Sequence, residues 1–272
     1  MAATTPSDAA GDKPLPKIKL YWLERSRSQR IVWLLEELGA PYELEVFHRD
    51  KQTMLAPAEL EKVHPLGKSP VVSVTPGGGG DAVVLAESGF MTQYLCEHLP
   101  GGGRLMPARW KEGREGEVGG ETEAWLRYQY YLHYAEGSLM PILVMALVIS
   151  RLKSSQVPFL VRPITSAAAN AIVSNFIFPN AQKHLRMLEG QLATSGGRYL
   201  CGDSLTAVDI LMSFPLIAAK GRWDSMGRWE GGSWAKAHPR VAEYVERLEK
   251  EEGYRRSVEK IEAVDGSFSA TL

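Results

Sequence analysis

The chain has 272 residues, 44% hydrophobic and 23% charged, with a formal net charge of −1. That length allows one large domain or two ordinary ones, each with its own core. The near-neutral balance, with Lys and Arg scattered rather than massed, excludes the concentrated basic face that nucleic acid or an anionic membrane surface requires. The two cysteines, Cys96 and Cys201, lie far apart and form neither a C-x-x-C pair nor a metal-ligand set, so no metal is expected and a reducing, cytoplasmic compartment fits best.

Residues 1–16, MAATTPSDAAGDKPLP, lack the apolar core of a signal peptide and read as a disordered tail. IKLYWL at 18–23 alternates and is rich in β-formers, which predicts a strand. Ile31, Leu34, Leu35 and Leu38 then recur at helical spacing, giving a helix with one apolar stripe that ends at Gly39. Tyr42, Leu44 and Val46 alternate as a second strand. Residues 57–63 suit a short helix with proline in its first turn. After Pro70, VVSV and VVLA flank TPGGGGD as a hairpin with a loose glycine loop, and Ser88 opens a helix to about Leu99.

The order β-α-β, α, β-β-α over 17–100 is that of an α/β thioredoxin-like domain on one four-stranded sheet. Residues 101–120, rich in glycine and charge, read as a linker. Residues 121–260 read as an all-α domain, with 261–272 as a tail. Within that domain 125–152 form one long helical segment or two, with Pro141 as a kink, and 166–192 form another, interrupted near Pro179. The longest apolar stretch, Leu139 to Ile149, falls short of the roughly 18–20 residues that span a bilayer, so no transmembrane segment is expected. In LTAVDI, Thr206 is a candidate N-cap whose amide the Asp209 carboxylate can reach.

Three strings carry the chemistry: LERSRSQRIVWLLEELG at 23–39, HPLGKSPVV at 64–72 and LAESGF at 85–90. The first places the hydroxyls of Ser26 and Ser28 at a strand-to-helix turn, together with Arg25, Arg27 and Arg30. Either serine could instead merely cap the helix, and helix-start arginines are commonly solvated. The third places an acid and a hydroxyl, Glu87 and Ser88, at another helix start, where the free amides favour an anion.

In this order, and followed by an all-helical half, these strings resemble the glutathione S-transferase family, and its fungal branch in particular. The resemblance implies the two-domain glutathione transferase fold, glutathione as co-substrate, a small hydrophobic electrophile as second substrate, and a homodimer. It implies that Ser26 activates the thiol, assisted by Arg27, with Ser28 the competing candidate. It implies a cis peptide at Ser69–Pro70, main-chain pairing of the peptide with Ser69, and capture of the γ-glutamyl end by Glu87 and Ser88. Lys68 and His48 are carried over for the glycyl end, and Tyr128 and Tyr131 are named for the electrophile pocket.

Thiol activation is within reach of one hydroxyl. Lowering a thiol pKa from about 8.5 by about two units takes roughly 2.7 kcal/mol. A hydrogen bond to a charge supplies about 1.5–3 kcal/mol and a helix N-terminus about 0.3–1. Glutathione-dependent peroxidase activity is compatible with the same site. Thiol-transferase chemistry is disfavoured because neither cysteine sits at the turn. A non-catalytic ligand carrier or assembly module of the same fold is the alternative reading.

Overall fold

The computed structural model describes residues 14–271. Strand β1 (Lys17–Leu23) leads through a tight turn into α1 (Gln29–Leu38), which ends on Gly39 at φ 62°, a left-handed position that glycine adopts without steric cost. Strand β2 (Tyr42–Phe47) returns parallel to β1, pairing Leu20 with Leu44. A 3₁₀ turn (Ala58–Lys62) leads to β3 (Val71–Thr75), antiparallel to β1, and a glycine loop joins it to β4 (Val83–Leu85). Helix α2 (Ser88–His98) completes the first domain.

The sheet order is β2-β1-β3-β4. Strands β1 and β3 lie inside the sheet, and Ile18, Leu20 and Trp22 of β1 are buried. Helix α1 packs on α2, and its far face meets the second domain, so it stands between the two halves.

The segment 101–120 is less free than a linker composition suggests. It holds a 3₁₀ turn (Gly102–Leu105) whose Leu105 is fully buried, and Trp110 bridges to Glu121. Helices α3 (Glu123–Tyr134), α4 (Met140–Ser150), α5 (Arg162–Ile172) and α6 (Phe178–Ala193) follow. Both predicted proline breaks are π-helical turns, Ala135–Leu139 before Pro141 and Val173–Ile177 before Pro179. Proline lacks an amide donor and clashes with the preceding turn, and the wider π turn makes room for it without ending the helix.

The first of these turns makes one long segment rather than two. It fuses α3 and α4 into one run, Glu123–Lys153, which by length and composition alone is long and apolar enough to cross a membrane. Within the fold that run is a packing helix: Tyr128, Tyr131, Leu139 and Leu143 are buried, and Glu136 forms ion pairs with the first domain.

Helix α7 (Ala207–Ala219) is buried at every position and forms the axis of the second domain. Two short helices, α8 (Trp223–Met226) and α9 (Trp234–Ala237), lead to α10 (Pro239–Lys250) and α11 (Glu252–Asp265). Helix α11 crosses the boundary expected at residue 260 and packs on α1, because Ile261 remains on its apolar face. The expected tail at the N-terminus lies, as far as residue 13, outside the described residues.

Candidate functional site

Between the two domains lies a cavity of about 630 Å³. The β1–α1 turn, the segment before β3, helix α4 and the end of α7 all open onto it. A smaller cavity of about 40 Å³ adjoins it, lined by Lys68, Ser69, Pro70, Glu87, Ser88 and Glu136 among others. Arg27, Lys68 and Ser69 line both.

The turn separates the two serines. Ser26 is buried but lines the large cavity, whereas Ser28 is fully buried and lines neither. Their hydroxyls are 2.7 Å apart, Ser28 Oγ is 2.6 Å from Ser69 Oγ, and Ser69 donates to the Tyr21 carbonyl at 2.8 Å. A carbonyl only accepts, so the proton of Ser69 is committed to Tyr21. Ser28 therefore donates to Ser69, and Ser26 donates to Ser28. Ser26 also accepts the Ser28 amide at 3.1 Å, which fixes its oxygen at the cavity floor. The result is a one-way hydroxyl chain with Ser26 at its open end.

The Ser69–Pro70 peptide is cis. At the start of α2, Glu87 has φ 68° and ψ 113°, a conformation that costs a non-glycine residue about 1–3 kcal/mol and gathers at functional sites. It leaves the Glu87 side chain exposed at the smaller cavity, while Ser88 turns inward. Gly89 follows because an added Cβ would lie 2.5 Å from the Leu132 carbonyl oxygen, so α2 approaches the backbone of α3 directly.

The solvated reading of Arg30 does not hold. Its guanidinium is fully buried and donates to Ser88 Oγ at 3.0 Å, to the Leu211 carbonyl at 2.9 Å and to Glu136. Burial pulls its pKa down, and Glu136 opposes that pull. Arg27 reaches the same carboxylate at 3.4 Å. Glu136 thus ties the β1–α1 turn, the start of α2 and the helical domain into one network. Sequence reasoning passed over Glu136. Its one signal is position, since it is the last carboxylate before Glu189 in a long stretch otherwise free of acids.

Two expected groups stand elsewhere. His48 lines neither cavity and holds Asp265 of α11 at 2.6 Å. Tyr128 and Tyr131, named for the electrophile pocket, are buried in the core beneath α3, and the apolar wall of the large cavity is built instead by Met140, Val144 and Leu147 of α4 with Phe214 of α7. The reason is helical phase: α3 turns these tyrosines toward the first domain and α7, and the helix reaches the cavity only after its π turn. Cys96 and Cys201 are free and buried, and burial pushes both thiols up to about 12, which leaves them protonated at neutral pH.

A mixed four-stranded sheet joined to a helical domain, with a hydroxyl-floored cavity at the joint, defines the glutathione transferase fold. Residues 26–98 match the family model for the glutathione S-transferase N-terminal domain, and residues 168–247 match that for its C-terminal domain. The chain is 33% identical to "Glutathione S-transferase 1" of Saccharomyces cerevisiae over 93% of its length and 99% of that protein's. It is also 33% identical to "Glutathione S-transferase 3" of Schizosaccharomyces pombe over 75% and 74%. The chain belongs to the glutathione S-transferase family. A crystal structure of a glutathione S-transferase from Actinobacillus pleuropneumoniae superposes with a TM-score of 0.61 at 29% identity, covering 93% of this chain and 95% of that one. A glutathione transferase homologue from Lodderomyces elongisporus, solved with two glutathione molecules per subunit, shares the fold at a TM-score of 0.64 and 20% identity, covering 91% and 99%.

Proposed function

We propose that this chain joins the thiolate of glutathione to small electrophiles. The observation that carries the reading is the Ser26 hydroxyl at the floor of the interdomain cavity, beside the acid–hydroxyl pair Glu87–Ser88 in the adjoining one. Glutathione lies across the two. Its γ-glutamyl ammonium meets Glu87, and its γ-glutamyl carboxylate meets Ser88 and the α2 amides. Its cysteinyl backbone pairs with Ser69, and its glycyl carboxylate meets Lys68. His48, held by Asp265, is given no part in this reading.

The thiol then rests over Ser26. On ionisation, Ser26 turns its proton from Ser28 to the sulfur, exchanging a neutral hydrogen bond for one to a charge, which is roughly twice as strong. Ser28 keeps the Leu23 amide as a donor at 3.5 Å, so its oxygen is not stranded. Arg27 adds positive potential. The electrophile packs against Met140, Val144 and Phe214.

The protein acts as a homodimer in a reducing, cytoplasmic compartment, where its two buried free thiols are stable. A conjugation assay with a generic aryl halide, run beside retention on immobilised glutathione, tests the reading. Turnover with retention supports it; retention without turnover means a glutathione-binding carrier.

A further inference from the structure

The large cavity carries more positive charge than glutathione can neutralise. Arg25, Arg27, Arg49, Arg151, Arg222 and Lys68 line it, and among the described residues no carboxylate does. Some of these cations are already engaged. Arg27 pairs with Glu136, Arg49 donates to the carbonyls of Glu24, Arg25 and Met54, and Lys68 belongs to the peptide site in the reading above. The side chains of Arg25, Arg151 and Arg222 make no hydrogen bond or ion pair among the described residues.

The cavity lining itself supplies no matching carboxylate among the described residues. Burial lowers the Arg49 pKa most and the Glu24 carboxylate opposes it, while Arg151, Arg25 and Arg27 lie close enough to lower it further. Like charges gathered in a cleft with apolar walls raise the local concentration of anions there. Two of the unengaged arginines belong to the helical domain: Arg151 caps the C-terminus of α4, one turn beyond Leu147, and Arg222 follows α7. They stand on the side where the apolar wall receives the second substrate, away from the segments that hold the peptide.

We infer that the second substrate is an amphiphilic electrophile, with an apolar body for the α4–α7 wall and a carboxylate or comparable anion for Arg151 and Arg222. This rests on the transferase reading and narrows its substrate class. For an electrophile that is an α,β-unsaturated ketone, the glutathione sulfur bonds to the β-carbon. The π pair moves to the carbonyl as an enolate, and a solvent proton adds at the α-carbon. Nothing leaves, and no oxidant or reductant enters.

Ethacrynic acid, an aryl vinyl ketone bearing a carboxylate, and its methyl ester form a pair matched but for charge. The wild-type protein is expected to favour the acid in kcat/KM by about ten-fold, the scale of one hydrogen bond to a charge. The preference lies mostly in KM and shrinks with added salt. In the Arg151→Gln, Arg222→Gln double variant the ratio of acid to ester falls toward one. A ratio near one in the wild type, or an unchanged ratio in the double variant, overturns the inference. Calorimetric titration of both compounds into the protein loaded with S-methylglutathione, whose sulfur cannot conjugate, reads the same preference without turnover. Tighter binding of the acid with no conjugation of either compound upholds the charge assignment and removes the transferase reading; equal binding with no conjugation removes both.

Discussion

At the scale of single residues, the function depends on which hydroxyl has a proton to spare. Ser28 has none, since it donates to Ser69 and is sealed from the cavity. Ser26 donates only to Ser28, and that bond can be exchanged. Ser26→Ala should therefore remove about 1.5–3 kcal/mol of thiolate stabilisation. Losing stabilisation of the charged form raises a thiol pKa, so the rising limb in the pH profile of kcat/KM should move up by about one to two units, with glutathione affinity within a few-fold. Ser28→Ala breaks the buried chain and should lower the melting temperature, while leaving the midpoint of that limb in place. An upward shift for Ser28→Ala and none for Ser26→Ala would reverse the assignment. Position in the turn singled out two serines, but the direction of donation between them depends on Ser69, which is distant in sequence.

At the scale of elements, α7 is the structural centre. A helix buried at every position gains little from apolar burial by starting at one residue rather than another, so its start needs a polar anchor, and Asp209 supplies it. Its carboxylate accepts from the Thr206 amide at 2.8 Å, the Thr206 hydroxyl at 2.6 Å, the Leu200 amide at 3.0 Å and the Tyr244 hydroxyl at 2.7 Å. A cap alone is worth about 0.5–2 kcal/mol. Asp209→Ala strands four buried donors, so the expected loss is about 3 kcal/mol or more, read from the denaturant midpoint. An unchanged midpoint would show that the network contributes nothing. The Thr–Asp pair was legible in the LTAVDI string because both arms lie three residues apart. Leu200 and Tyr244 were not, because they come from the loop before α7 and from α10. The same division runs through the fold. Strands and helix starts follow from local patterns and the cis Ser69–Pro70 bond from the family resemblance, whereas the burial of Arg30 and the place of Glu136 exist only once α1 meets the π turn after α3 across the domain joint. The tyrosines of α3 misled for a related reason: composition marks them as contact residues, but only the packed helix shows which side they face.

At the scale of the whole molecule, the proposed homodimer is testable on the surface left over after folding. Phe90 on α2, Leu126 and Tyr130 on α3, and Val83 and Val84 on the edge strand β4 are all exposed. Helix α2 packs against α3, and β4 leads directly into α2, so these exposed groups lie on adjoining elements. Leu126 and Tyr130 are four residues apart and project on the same side of α3. Exposed apolar groups on adjoining elements suit an interaction surface, and a two-fold axis allows the same patch to cover itself; a second exposed set, including Phe159, Leu160 and Ile164, lies around the start of α5. β4 also presents an unpaired edge, a hazard that a partner subunit removes. Sedimentation should therefore report a species of twice the 30.0 kDa chain mass at micromolar concentration. Placing charge in the patch, as in Phe90→Glu with Leu126→Glu, should shift it to the single-chain mass while far-ultraviolet circular dichroism stays that of the folded protein. A wild-type protein that sediments as one chain across that range, or a double variant that remains dimeric, would show that this face is covered by something other than its own copy.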